Sequence, residues 1–273
     1  MKRILTAAVA LPILLYTVWS TSPYPFVMLA AIAIEIALHE FYGLADAIGQ
    51  SPIRVPGYAA ALAIAGCFAI HKTDLIAAVL ILLALVAFTT RVLQAAKLRT
   101  SFVAVSSTIL GVAYVALLGS CLIGVKVGDT PSVGPAQSAK LLTMFFAMVI
   151  LTDTGAYYTG RSIGRHKLAP LISPGKTIEG SVGGFVAAVA AGPLSRQIFF
   201  PDIPLVDSLV LGALIGVIGQ MGDLAESMLK RNAGVKDSGT LLPGHGGMLD
   251  RIDSILFCAP ILFYYSKYFL PKN

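Results

Sequence analysis

Residues 206–228 read VDSLVLGALIGVIGQMGDLAESM. The apolar centre of this stretch, Leu209–Gly222, is 14 residues long, too short to cross a bilayer, which takes ~20 apolar residues in a helix. A span of adequate length must run on through Asp223 and Glu226 to about Met228. A carboxylate at bilayer depth costs ~2.5–3.5 kcal/mol unless it is paired or hydrated. The stretch therefore reads as a membrane helix whose end carries two acids at headgroup level. Their i,i+3 spacing puts both on one face, and Lys230 continues it. A helix-end ion pair with Lys230 is the plain alternative to a working role.

The rest of the chain agrees with a membrane setting. Of 273 residues, 56% are hydrophobic and 12% charged, with a mean hydropathy of +0.81. Soluble domains carry about 25% charged residues, so an ordinary globular enzyme is excluded, and the abundance of apolar surface excludes disorder. Apolar runs occur at about 4–20, 24–39, 56–71, 75–93, 102–125, 139–159, 180–200, 206–228 and 252–270. The expected fold is an all-α integral membrane protein of about nine transmembrane helices. Lys2 and Arg3 resemble the start of a signal peptide, but no clear small-residue cleavage site follows, so the first run is kept as a span. With the N-terminus inside, 14 of the 20 Lys and Arg residues fall on the cytoplasmic side and 6 opposite, which sets the N-terminus in the cytoplasm.

Two predicted cytoplasmic loops, 160–179 and 229–251, are polar and glycine-bearing. The chain divides into N-terminal transmembrane helices, 1–140, about five in number, and a C-terminal transmembrane catalytic region, 141–273, that holds both loops. The net charge of +6 fits inside-facing basic loops and anionic headgroups better than nucleic acid. Cys67, Cys121 and Cys258 are scattered in apolar runs and read as small hydrophobes; the four histidines lack metal-ligand spacing. Glycines at i,i+4 (Gly180 and Gly184, Gly212 and Gly216), with Gly219 and Gly222, read as helix-packing positions.

Several polar groups break the membrane pattern. Asp153 ends an apolar run and is followed by Thr154, Gly155, Tyr157 and Tyr158; an interfacial acid with aromatic anchors is the bland reading. Glu35 and His39 in the second run have no assigned role. After Asp223 come Ser227, Lys230-Arg231, Lys236-Asp237, Pro243, His245-Gly246-Gly247 and Asp250-Arg251-Ile252-Asp253. Gly246 and Gly247 allow backbone amides to approach an anion, and a helix start near Asp250 favours negative charge. Positive-inside charges alone would not need four acids among them. The loop before it holds Gly160-Arg161 and then Ser173-Pro174-Gly175-Lys176-Thr177-Ile178-Glu179-Gly180. That segment looks like a phosphate-facing lysine before a helix, without the glycine spacing of a Walker loop.

The run Ser227 to Asp253 resembles the signature of the phosphatidate cytidylyltransferase (CDP-diacylglycerol synthase) family. That signature is Ser-x-x-Lys-Arg, four residues, Lys-Asp, a glycine-containing spacer, Pro-x-His-Gly-Gly and Asp-Arg-x-Asp, with every element present. Asp153-Thr-Gly-Ala-Tyr and the segment from Ser173 to Gly180 resemble the same family. The resemblance covers about 150–255; the first 140 residues agree in hydropathy and span number. It implies an enzyme that condenses CTP with phosphatidic acid to CDP-diacylglycerol and pyrophosphate with Mg²⁺, K⁺ serving as a second cation. It also implies a homodimer in the bacterial inner membrane whose polar funnel opens to the cytoplasm. Asp223 and Asp250 correspond to the two metal-holding acids of the family.

The residue types suit that chemistry. Two unit charges 4 Å apart repel by ~4 kcal/mol at an effective dielectric of 20, so a phosphate monoester meets a nucleotide only where cations screen both. The nucleophile belongs to the lipid, so no catalytic Ser, Cys or His is required. The expected catalytic set is Asp223, Asp250, Lys230, Arg231 and Asp253, with Asp223 and Asp250 as metal ligands. The expected substrate-binding set is Ser173, Lys176, Lys236, Asp237, His245, Gly246, Gly247, Arg251, Asp153, Glu179 and Glu226. A transporter would also place acids in helices, yet it predicts inverted repeats and mid-membrane charges, whereas this cluster is cytoplasmic. The family that transfers alcohols onto CDP-diacylglycerol carries a motif this chain lacks. A cytidylyltransferase for another lipid phosphate is not distinguished by sequence.

Overall fold

A computed structural model of the chain describes residues 2–128, 134–239 and 246–271. Its helices are α1 (Lys2–Trp19), α2 (Tyr24–Ala47), α3 (Arg54–Ala69), α4 (Ile76–Leu93), α5 (Ser101–Gly111), α6 (Leu118–Val127), α7 (Pro135–Ile163), α8 (Ile178–Ile198), α9 (Leu205–Asn232) and α10 (Leu249–Tyr268). A π-helical turn, Val112–Leu117, joins α5 to α6. Among the described residues the long helices thus form nine rods, one for each apolar run. Six stretches are long and apolar enough to cross a membrane: Tyr24–Ala47, Thr73–Leu93, Leu98–Val127, Ala136–Ile163, Ile178–Ile198 and Leu205–Asn232. Their outer faces are apolar, as on α4, where Ile81, Leu82, Leu85 and Phe88 are exposed. The protein is a multi-pass integral membrane protein.

The structure departs from an all-helical reading in one place. Within the predicted loop 160–179, β1 (Lys167–Ala169) and β2 (Ser173–Thr177) pair antiparallel, with Lys167 opposite Thr177 and Ala169 opposite Ser173. Thr177 then caps α8, its hydroxyl accepting the Gly180 N–H at 3.1 Å, as helix starts require. The second predicted loop begins late, because α9 continues through Asn232.

Small residues set how the site-bearing helices stack. A Cβ on Gly184 would lie 2.7 Å from the Thr152 carbonyl of α7, one on Gly212 2.6 Å from the Ala188 carbonyl of α8, and one on Gly222 2.7 Å from the Asp253 carbonyl of α10. These glycines are packing positions, as their spacing implies. The last of these contacts brings the acid-bearing end of α9 against the first turns of α10. On its other side α10 meets the N-terminal helices: Phe263 packs edge-on against Phe68 of α3, centroids 5.3 Å apart. The buried core runs through both parts, from Leu38, Tyr42 and Ile64 to Met148, Leu211 and Leu262.

Candidate active site

The C-terminal end of α9, the first turn of α10 and the β1–β2 hairpin converge. Lys230 on α9 forms the centre of one group. Its ammonium pairs with Glu226, one turn earlier, and with the Asp250 carboxylate at 2.6 Å. Glu226 is 0% exposed and the Asp250 side chain 5%, so the ion pair with Lys230 does occur, buried and shared with a second acid. The other Asp250 oxygen accepts the Gly247 N–H at 2.7 Å, the Ser238 N–H at 2.9 Å and the Ser238 hydroxyl at 3.0 Å. Burial alone would raise the Asp250 carboxyl, yet the Lys230 ammonium and these donors hold it at about 2.

A second group surrounds Asp223, where Lys176, on β2, reaches the carboxylate at 2.6 Å. The Ser227 hydroxyl donates to its other oxygen at 3.4 Å. Both members of the Lys176–Asp223 pair are partly open to solvent, 26% and 33%. Asp153 on α7 and Asp253 on α10 lie within electrostatic reach of Asp223 and of each other. Lys176 and Arg251 act on Asp153 in turn. Five of the expected acids, Asp153, Asp223, Glu226, Asp250 and Asp253, thus stand on or around α9, each backed by at least one cation. The two expected metal ligands, Asp223 and Asp250, carry different ammonium groups.

Other expected site residues are committed to the frame. Arg231 donates to the Ile172 carbonyl at 3.2 Å and the Val235 carbonyl at 3.0 Å, tying the hairpin tip to α9. Glu179 accepts the Arg165 N–H at 3.0 Å and pairs with His166 at 2.6 Å, closing the hairpin base. Lys236, Asp237 and Arg251 are exposed at the rim, and Ser173 is half-buried on β2. His245, with Pro243, lies outside the described residues.

Gly246 and Gly247 do let backbone approach anions, but the anions belong to the protein. Gly246 has φ +79°, and a Cβ there would sit 2.6 Å from Asp250 Oδ2; one on Gly247 would sit 2.4 Å from Glu40 Oε2. Glu40, from α2, accepts the Met248 N–H at 2.9 Å, the Leu249 N–H at 2.7 Å and the Ser238 hydroxyl at 3.1 Å. Neither Glu40 nor Ser238 stands out in the sequence; the only hint at Glu40 is an acid at the end of an apolar run. Glu35, five residues before Glu40 in the same helix, leaves one carboxylate oxygen buried without a hydrogen bond, and His39 bonds Tyr58 at 2.8 Å.

Beside Asp223 the surface between α8 and α9 opens into an apolar groove of ≈ 300 Å³, lined by Val182, Phe185, Val217, Met221 and Leu224 with Leu168 of β1 above. Ser181 and Gln220 bond across its floor, the Gln220 amide donating to the Ser181 carbonyl at 3.1 Å.

A polytopic helical protein with paired acids and ammonium groups at one end of its bundle is the class that fold and site define. The chain matches the Cytidylyltransferase family over residues 1–269, and it belongs to that family. It is similar to the phosphatidate cytidylyltransferase of Bacillus subtilis (strain 168), 48% identical over 126 residues, which are 45% of this chain and 47% of the relative. The phosphatidate cytidylyltransferase of Staphylococcus saprophyticus is 42% identical over 167 residues, 61% of this chain and 60% of the relative. The uncharacterized protein YnbB of Escherichia coli (strain K12) is 45% identical over 133 residues, 48% and 44% of the two chains. The chain spans about half the length of the curated relatives it matches.

Proposed function

We propose that the chain is a phosphatidate cytidylyltransferase, condensing CTP with phosphatidic acid to CDP-diacylglycerol and pyrophosphate. A phosphate oxygen of the lipid attacks the α-phosphorus of CTP. The bond from that phosphorus to the bridging oxygen of the β-phosphate breaks, and its electron pair leaves with pyrophosphate. The observation that carries the reading is the junction at Asp223. An apolar groove whose lining includes Met221 and Leu224, the α9 residues two before and one after Asp223, adjoins a carboxylate–ammonium pair that is partly open to solvent. An amphiphilic phosphate fits that junction, chain in the groove and headgroup beside Lys176. A transported ion would use the charges but not the groove.

The donor chemistry suits Mg²⁺. That ion is commonly held by one or two carboxylates together with substrate phosphates and waters. Among the described residues no three His, Cys, Asp or Glu side chains enclose a metal by themselves, so nucleotide oxygens would complete the ligand set. Asp223 is the accessible member, and the Lys176 ammonium at 2.6 Å occupies a cation's place beside it. Asp250 would be the second carboxylate to hold the ion. Mg²⁺ held by these carboxylates would supply charge neutralisation at the phosphates and at the leaving pyrophosphate. Lys176 and Arg251 would meet lipid and nucleotide phosphates, while Lys230 holds Asp250 and Glu226 in position. Lys236 and Asp237 form the rim through which CTP enters.

The same reading carries an N-terminus and site on the cytoplasmic side of a bacterial inner membrane. The lysine and arginine bias supports that side, as does the meeting of the α2 end, the α9 end and the α10 start at one level. The family resemblance supports a nine-span homodimer with K⁺ as second cation. Purified protein supplied with labelled CTP, Mg²⁺ and phosphatidic acid should form labelled CDP-lipid only when the lipid is present. Labelled product with polyprenyl phosphate but none with phosphatidate would select the other lipid substrate. Absence of nucleotidyl transfer from every lipid phosphate would overturn the enzyme reading.

A further inference from the structure

We infer that Glu40, in the N-terminal helices, is a positioning residue for the nucleotide side of the site. Helix α10 starts at Leu249 with no side-chain cap of its own, and its first N–H groups need acceptors. Glu40 supplies them from α2, one oxygen for Met248 and one for Leu249. Its negative charge also suits the helix N-terminus. Both Glu40 and Asp250 take hold of Ser238, whose hydroxyl lies 3.1 Å from one and 3.0 Å from the other. One hydroxyl hydrogen serves two carboxylates, so the loop segment, Glu40 and Asp250 form a single coupled unit. The loop closes on Glu40 without slack: a Cβ on Gly239 would lie 2.6 Å from Oε1 and one on Gly247 2.4 Å from Oε2.

The consequence reaches the reaction through Asp250. The residues that Glu40 fixes, Ser238, Gly247, Met248 and Leu249, bracket Asp250 and adjoin Lys236 and Asp237. Lys176 and the apolar groove stand on the hairpin and on α8 and α9, outside this unit. Loss of Glu40 therefore loosens the nucleotide side and leaves the lipid side in place.

This assignment rests on the cytidylyltransferase reading, and the test separates the two. The full chain, wild type and Glu40→Gln, is purified in lipid nanodiscs. CTP and phosphatidate are titrated separately, and backbone hydrogen exchange is followed at Met248 and Leu249. Loss of a hydrogen bond to a charged group predicts that kcat/KM for CTP falls roughly 10- to 100-fold, with KM for CTP raised and KM for phosphatidate within about two-fold of wild type. Glu40→Ala should lose more than Glu40→Gln, and Ser238→Ala combined with Glu40→Gln should cost less than the product of the single effects. Exchange at the two amides should rise at least ten-fold by the loss of their acceptor, with α8 unchanged. Two unchanged KM values, with kcat following only the folded fraction, would overturn the assignment, even if exchange quickens, because a mere cap would do that. Should wild type make no CDP-lipid, the functional reading fails on its own. Unchanged exchange at the two amides would overturn the assignment to Glu40 whether or not CDP-lipid is made.

Discussion

Replacing Lys230 by methionine keeps the length of the side chain and removes its charge. In the folded protein this ammonium serves two acids, Glu226 at 0% exposure and Asp250 at 5%, and is itself only 12% exposed. Removing one partner from a buried ion pair typically costs ~3–5 kcal/mol, because the remaining charge is stranded away from water. Asp250 retains three donors from Ser238 and Gly247, so the larger share of the loss belongs to Glu226, which has no backbone donor to fall back on. At about 2–4 °C per kcal/mol for a chain of this size, Lys230→Met should lower the unfolding midpoint in detergent by about 6–20 °C. Glu226→Gln in the same chain removes the buried carboxyl left without its partner, so the double variant should regain at least half of the loss. Neither variant should regain CTP turnover, since Asp250 still lacks its cation. A single variant melting within about 2 °C of wild type, or a double variant melting lower still, would refute the reasoning.

Other perturbations separate parts of the site. Asp223→Asn and Lys176→Met should each lower Mg²⁺-dependent CTP turnover by about 100-fold or more, in the range seen when charge-stabilising groups are removed. They should shift the melting midpoint little, because the pair is partly exposed and such pairs contribute about 0–1 kcal/mol; a large melting shift would make Asp223 structural. Gly247→Ala drives a methyl to 2.3 Å from Ser238 Oγ and 2.4 Å from Glu40 Oε2. It should cost about 1–3 kcal/mol and be visible in thermal unfolding. Met221→Trp fills the groove beside Asp223 and should raise KM for long-chain phosphatidate several-fold, leaving that for CTP unchanged in steady-state assays.

Much of this arrangement is legible in the sequence, for reasons that differ by element. Hydrophobic runs translate into helices because the lipid-facing backbone must bond within itself; hence the match between nine runs and nine rods. Helix ends are less legible. α2 runs on to Ala47 past two acid-bearing turns, with Phe41, Tyr42 and Leu44 buried, and α9 carries a polar turn on to Asn232. The β1–β2 hairpin escapes a reading by propensity because Ser173-Pro174-Gly175-Lys176-Thr177 contains poor strand formers. It is held by tertiary bonds, from Arg231 to the Ile172 carbonyl and from Lys167 to the Pro174 carbonyl. The acids of α9 and α10 show in the sequence because they break an apolar pattern, but their partners do not. Spacing alone would join Lys230 to Glu226, yet it cannot reveal that Asp250 completes the pair or that Lys176 reaches Asp223. Glu40 is least legible of all, as its bonds to Met248 and Leu249 cross more than two hundred residues.

The central claim is that an oxygen of the lipid phosphate attacks the α-phosphorus of the nucleotide, within a frame of acids and ammonium groups. Phosphatidate carrying ¹⁸O in its phosphate, incubated with CTP and the purified protein, tests this by mass spectrometry of both products. All of the lipid's ¹⁸O should appear in the CDP-lipid and none in pyrophosphate. Heavy oxygen in the pyrophosphate, or its loss from the CDP-lipid, would contradict the account.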